Sequence, residues 1–207
     1  MEYSEIIKEL IEYGKLAGLK NMTPGITGNL SARYGDNIII TKSSTANGNL
    51  KEDDFVIIDY AGNIVSGSGK PSSEKFLHLE FYKMRSDINC IFHVHPVYMC
   101  SLASCGYDLT EPVMPENIFY FGEIPLADYA LPGSFELVDK TAKFFDKHDV
   151  VMMANHGVII GGDNVRNTYM KLELAESYAQ IIFNCKLLGN TKLLTNCQVA
   201  EIISLKN

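Results

Sequence analysis

His93 and His95 stand one residue apart in the run Ile91-Phe92-His93-Val94-His95, and His156 follows a second apolar run, Val150-Val151-Met152-Met153-Ala154. The first run reads as a buried strand. Side chains alternate faces along a strand, so the two histidines share one face while Phe92 and Val94 pack on the other. Two imidazoles on one face, with a third at the end of another strand, make a set of metal ligands. Three neutral imidazoles with one open position describe a catalytic zinc site, because a structural site closes the tetrahedron with a fourth protein ligand. Gly157 lets the chain turn tightly after His156 or approach a neighbour closely. Each histidine alone reads as a hydrogen-bonded core residue; the pair plus the third favours metal. Cys90 and Cys100 lie near the pair in apolar surroundings, where cysteine is usually filler.

Three loops place small polar groups beside glycine or a helix start: Thr27-Gly28-Asn29, Ser43-Ser44 and Ser72-Ser73. Backbone N–H groups at a helix N-terminus, with the dipole behind them, favour an anion such as phosphate. Serine and asparagine add donors without adding charge, although each loop alone also reads as an ordinary turn or cap. Glu74 opens the helix that follows Ser72-Ser73. It reads either as a first-turn charge or as a general base beside the metal, able to fill the open metal position at rest. His78, one helical turn on, reads as a packed helix histidine or as support for the site. His148 reads as surface. Among eleven tyrosines, Tyr120 in Phe119-Tyr120-Phe121 is a candidate proton donor or a core or subunit-contact residue.

Around these residues, 207 residues with 46% apolar and 21% charged content fit a single domain, residues 1–207. A net charge of −7 argues against a nucleic-acid partner. No apolar run approaches a membrane span, and the acidic N-terminus is unlike a signal peptide. Five cysteines without C-x-x-C spacing suit reduced thiols, so a cytoplasmic protein is expected. Apolar spacing predicts helices from Ser4 to about Leu19, Glu74 to Met84, after Pro96 toward Cys105, Ser134 to about Phe145, Val165 to Leu188, and near Val199 to Leu205. Hairpins are expected at Leu30–Tyr34/Asn37–Thr41 and Phe55–Asp59/Asn63–Val65, with a strand pair over Val150 to Ile160 broken at Asn155-His156-Gly157. Tyr107 to Ile124 is expected to be irregular with one or two strands. Alternating hairpins and helices predict an α/β protein, one mixed sheet with helices on its faces.

Thr23-Pro24-Gly25 with Gly28-Asn29-Leu30-Ser31, then Pro71-Ser72-Ser73-Glu74, His93-x-His95 and His156-Gly157, together resemble the class II aldolase/adducin family, most closely its L-fuculose-1-phosphate aldolase branch. The resemblance implies a single-domain α/β/α sandwich with a central, mainly antiparallel sheet. It implies a C4 homotetramer with active sites between subunits. It implies one zinc per chain on His93, His95 and His156, with Glu74 as acid/base and possible fourth ligand. Phosphate would lie on Gly28, Asn29, Ser43, Ser44, Ser72 and Ser73. The expected activity is zinc-dependent cleavage of a ketose 1-phosphate to dihydroxyacetone phosphate and a short aldehyde. A pentulose-phosphate 4-epimerase, a methylthioribulose-phosphate dehydratase and a non-catalytic adducin-like module are the alternatives. Thr41-Lys42-Ser43-Ser44 departs from the usual T-P-S/T-G, so the phosphate contact requires Ser44 to adopt the glycine's backbone shape. Tyr120 matches a neighbouring subunit's proton-donating tyrosine only loosely. The relatives carry a C-terminal tail where this chain stops at Asn207, which predicts fewer contacts closing the site.

Overall fold

A computed structural model describes residues 3–206. In chain order the elements are α1 (Tyr3–Leu19), β1 (Asn29–Tyr34), β2 (Asn37–Thr41), β3 (Phe55–Ile58), β4 (Ile64–Ser66), α2 (Lys75–Met84), β5 (Cys90–Val94), α3 (Val97–Ser104), α4 (Pro115–Tyr120), β6 (Leu126–Ala127), α5 (Phe135–Ala142), β7 (Val150–Met153), β8 (Val158–Gly162), α6 (Val165–Leu188) and α7 (Asn196–Ser204). All eight strands join one sheet in the order β4-β3-β2-β1-β5-β8-β7-β6. Every pairing is antiparallel except β6 with β7.

Strand alternation divides the core into two layers. Ile38, Ile40, Ile91, Val151 and Ile159 face α2 and α5. Leu30, Ile39, Phe92, Val94 and Ile160 face α1, α3 and α6. Buried side chains on both faces are what a sheet covered by helices demands, hence the three-layer α/β/α arrangement. The long helix α6 is set at both ends by local chemistry. The Asn164 side chain accepts from the Asn167 N–H, and Gly189 ends the helix at φ +77.

The expectation for Tyr107 to Ile124 is corrected. The segment contributes no named strand; it holds α4 and a single bridge between Leu109 and Ile124. The aromatic run favours a strand by composition, but Pro115 in the first turn with Glu116 beside it starts a helix instead. The helix at Ser134 is also shorter than expected, ending at Ala142, although Ser134 caps it by accepting from Leu137 N–H. The last helix starts at Asn196, ahead of the expected Val199, behind a Thr195/Gln198 capping box.

Candidate metal and substrate site

One end of the sheet gathers the chemistry. His93 lies near the end of β5, opposite Asn29 of β1 on one side and Ile159 of β8 on the other. His95 follows just beyond the strand. The β7–β8 turn, with Asn155 at φ +54, delivers His156. The three ring centroids lie 5.0, 4.8 and 5.2 Å apart. One ligand nitrogen from each ring falls within 4.8 Å of the others, a group that could hold a metal ion.

The donor set fits a divalent cation. His93 Nδ1 is 3.0 Å from the Val158 carbonyl oxygen, which can only accept, so Nδ1 carries a proton and donates it. In the neutral ring Nε2 is then left as the ligand atom, fixed in tautomer by its backbone partner. His95 Nε2 lies 3.3 Å from His93 Nε2. Two ring nitrogens that close need a proton or a cation between them. Burial first, then the charge of His93, pushes His95 down to about 3 and His156 down to about 4. Neutral imidazole is the ligand form.

Glu74 closes the group from the side of α2. Its Oε2 is 2.9 Å from His93 Nε2, its Oε1 is 3.3 Å from His156 Nε2, and Asn29 Nδ2 donates to Oε2 at 3.2 Å. Burial pushes the Glu74 carboxyl up, but the charge and hydrogen bond of His93, with His156 and Asn29, override it and hold it well below the usual carboxylate range. Burial likewise lowers His93, and Glu74 overrides it to raise that imidazole. Helix α2 begins at Lys75, so Glu74 occupies the cap position and not the first turn. Ser72, rather than capping the helix proper, accepts the Glu74 N–H on its hydroxyl at 3.2 Å.

Beside Glu74, the residues Gly28, Asn29, Ser43, Ser44, Ser72 and Ser73 come together around one cavity of about 220 Å³, with Ile26 and Lys42. Thr27 is not among its lining; its hydroxyl donates to the Pro24 carbonyl. Ser44 sits at φ +63, the left-handed shape that a glycine would supply. Gly28 is required by proximity, because a Cβ there would lie 2.3 Å from the His93 carbonyl oxygen. Lys42 adds to this lining a cation where the family resemblance leads one to expect a proline. The signal was its place next to Ser43-Ser44 at the end of a strand.

The remaining candidates separate. His78 is fully buried, with Nδ1 2.7 Å from Ser31 Oγ. Tyr120 is 57% exposed on α4 and lines a surface groove with the α6 residues Arg166, Asn167 and Met170, a groove that none of the three histidines lines. Cys100 sends its thiol toward the His156 carbonyl at 3.7 Å, and burial pushes that thiol up to about 12, the inert form. His148, half-buried, bonds the Glu123 carbonyl.

A family model described as "Class II Aldolase and Adducin N-terminal domain" matches residues 8–183, and the chain belongs to that family. An L-fuculose phosphate aldolase of Methanocaldococcus jannaschii is 38% identical over 76% of this chain and 84% of its own. A 5-deoxy-D-ribulose 1-phosphate aldolase of Bacillus thuringiensis is 33% identical over 94% of this chain and 92% of its own. A 3-oxo-tetronate 4-phosphate decarboxylase of Pectobacterium atrosepticum is 29% identical over 94% and 90%. A solved L-fuculose 1-phosphate aldolase superposes with a TM-score of 0.92 at 31% identity, covering 100% of this chain and 98% of that one. The chain is thus an enzyme of the class II aldolase family, related to lyases that act on sugar phosphates. No helix among the described residues is long and apolar enough to cross a membrane.

Proposed function

We propose that this enzyme is a zinc-dependent aldolase that cleaves a ketose 1-phosphate, of the L-fuculose 1-phosphate type, to dihydroxyacetone phosphate and a short aldehyde. One observation carries the reading. The serine-lined cavity opens on Glu74, and Glu74 in turn touches His93 and His156. A phosphate seated there leaves the first carbons of its ketose beside the carboxylate. His93, His95 and His156 would hold the metal, which when bound supplies a Lewis acid for the oxygens that gain negative charge as the carbon–carbon bond breaks. Gly28, Asn29, Ser43, Ser44, Ser72 and Ser73 hold the phosphate through hydroxyl, amide and backbone N–H donors, with Lys42 adding charge. In cleavage Glu74 delivers a proton to the carbon that loses its bond; in synthesis it removes the same proton. Tyr120, exposed on its own chain, serves a neighbouring copy by exchanging the proton of the aldehyde oxygen, which requires the homotetramer. The free cysteines and sugar-phosphate substrate fit a cytoplasmic location.

A second reading has support from the decarboxylase relative. Loss of CO2 from a 3-oxo acid phosphate also leaves negative charge beside a carbonyl, so the same residues would serve both reactions.

The deciding experiment measures zinc content and dihydroxyacetone phosphate release from L-fuculose 1-phosphate, for the wild type, His95→Ala and Glu74→Gln. About one zinc per chain with turnover is expected, with zinc lost in His95→Ala. Glu74→Gln should retain the fold and lose on the order of 10²–10⁴ in kcat. CO2 release from a 3-oxo-tetronate 4-phosphate in place of ketose cleavage moves the assignment to the decarboxylase. A protein that binds no metal and turns over neither substrate sinks both readings.

A further inference from the structure

The contact between Glu74 and His93 has a support of its own, deeper between β1 and α2. Three alternate residues of β1 send polar side chains to the N-cap of α2, to α2 itself and to the turn after it. Asn29 donates to the Glu74 carboxylate. Ser31 Oγ lies 2.7 Å from His78 Nδ1 and 2.8 Å from the Tyr82 hydroxyl. Arg33 donates to the carbonyls of Tyr82 at 2.6 Å and Arg85 at 2.9 Å. The spacing has a simple cause: two strand residues advance about 6.6 Å and four helix residues about 6 Å. Positions 29, 31 and 33 therefore keep step with positions 74, 78 and 82.

The middle rung is the most demanding. Ser31, His78 and Tyr82 are all buried. His78 Nε2 has no partner among the described residues. If Tyr82 donates to Ser31 and Ser31 donates to His78 Nδ1, only the Nε2–H is left unpaired. The reverse order strands both the tyrosine proton and the Nε2 lone pair. Each stranded buried group costs about 1–3 kcal/mol, so the first order prevails and fixes His78 as the Nε2–H tautomer. Leu77, Leu79 and Phe81 hold α2 to the core by apolar contact, which is not directional and allows a helix to slide or turn. The Glu74 side chain itself makes no capping hydrogen bond at the start of the helix.

We propose that Ser31 and His78 are positioning residues for Glu74: their buried rung sets how α2 lies along β1, and so where the Glu74 carboxylate meets His93. Asn29 pairs with His93 across the sheet, so the strand that fixes the helix also fixes the metal ligand it must reach. The functional weight of this rung rests on Glu74 being the proton-moving group, but its test needs neither substrate nor metal.

The test reads imidazole ¹⁵N shifts in the metal-free full-length protein. Glu74→Gln gives the His93 shift with the charged contact removed. Ser31→Ala, which deletes one oxygen, and His78→Leu should each move the His93 Nε2 shift more than halfway toward that reference. His78→Asn, which keeps a hydrogen-bonding atom near the Nδ1 position, should move it back. A lowered unfolding temperature with an unchanged His93 shift makes the rung merely structural and overturns the proposal. A Glu74→Gln variant that leaves the His93 shift in place overturns it too. Failure to find a substrate would leave the shifts, and this inference, standing.

Discussion

Gly157 lies so close to His95 that a Cβ on it would be 2.5 Å from the ring's Cδ2 and 2.7 Å from the Val94 carbonyl oxygen. The ring and the strand end therefore share the space that the glycine leaves. In Gly157→Ala the turn must give way against the Val94 carbonyl, and the His95 ring, just past the end of β5, must move with it or turn to another rotamer. The expected outcome is an affinity for a divalent metal ion reduced about 10–100-fold, in the range seen when support of a metal ligand is lost. Competition against a chromophoric chelator measures it. An unchanged affinity would mean that the backbone yields and the His95 ring stays.

The metal-free protein should be sensitive to mild acid. His78 is pushed down to about 3 by burial first, and His95 and His156 to about 3 and 4. Each depressed base is neutral when folded and protonates when unfolded once the pH drops below about 6.5. Stability is therefore complete above that point and falls as pH decreases, by up to about 1.4 kcal/mol per pH unit for each such histidine. His93, raised, acts with the opposite sign: its contribution is complete below the unfolded value and is lost as pH rises through the folded one. Glu74, depressed, stabilises above its unfolded value and loses that only in stronger acid. Between pH 6.5 and 5 the three depressed histidines dominate, and urea unfolding should show a loss of roughly 2–4 kcal/mol. His95→Gln should make the slope shallower. A flat profile would contradict burial of neutral imidazoles.

Ser44 at φ +63 offers a test that stabilises the protein. A serine held in the left-handed region costs on the order of 1 kcal/mol that glycine does not. Ser44→Gly is expected to raise the unfolding temperature by roughly 1–4 °C for a chain of this size. If the loop meets phosphate through its backbone, KM for a sugar phosphate stays within about twofold. A large rise in KM would instead assign the contact to the Ser44 hydroxyl. Calorimetry and steady-state kinetics separate the two.

The residues that could be read from sequence are those whose chemistry is carried by type and short-range spacing. His93 and His95 announce a histidine pair at one strand end, although β5 stops at Val94 and His95 lies just past it, and His156-Gly157 announces a turn at the end of another strand. The apolar spacing of α1 and α6 gave their bounds to within a residue or so. The partners of Glu74 were not legible, because they depend on register. Asn29 reaches the carboxylate only because β1 pairs with β5 so that positions 29 and 93 lie opposite. The rung from Ser31 to His78 depends on the same long-range alignment. Helix α4 was missed because Ile118 to Phe121 resembles a strand by composition, while Pro115 at its first turn decides the conformation. Lys42 is hidden for a different reason: in the sequence it stands out as the loss of a proline, and only the fold shows its charge lining the cavity.

Lys42 lines the cavity with Ser43, Ser44, Ser72 and Ser73, and no ion pair engages its ammonium among the described residues. Its stem runs over Gly69, where a Cβ would lie 3.1 Å from Lys42 Cδ, and Gly69 at φ +99 is a position suited to glycine. The stem is thus packed while the cation stays available to an anion. A charge-assisted hydrogen bond contributes about 1.5–3 kcal/mol, so Lys42→Met should raise KM for a phosphorylated substrate at least about tenfold. Part of the interaction is Coulombic and open to solvent, so added salt should raise KM in the wild type and do less in Lys42→Met. Lys42→Arg should recover part of the loss. Inorganic phosphate, as a competitive inhibitor, should weaken in parallel. If KM and the phosphate inhibition constant are both unmoved in Lys42→Met, the serine loops and backbone N–H groups hold the phosphate without help from this cation.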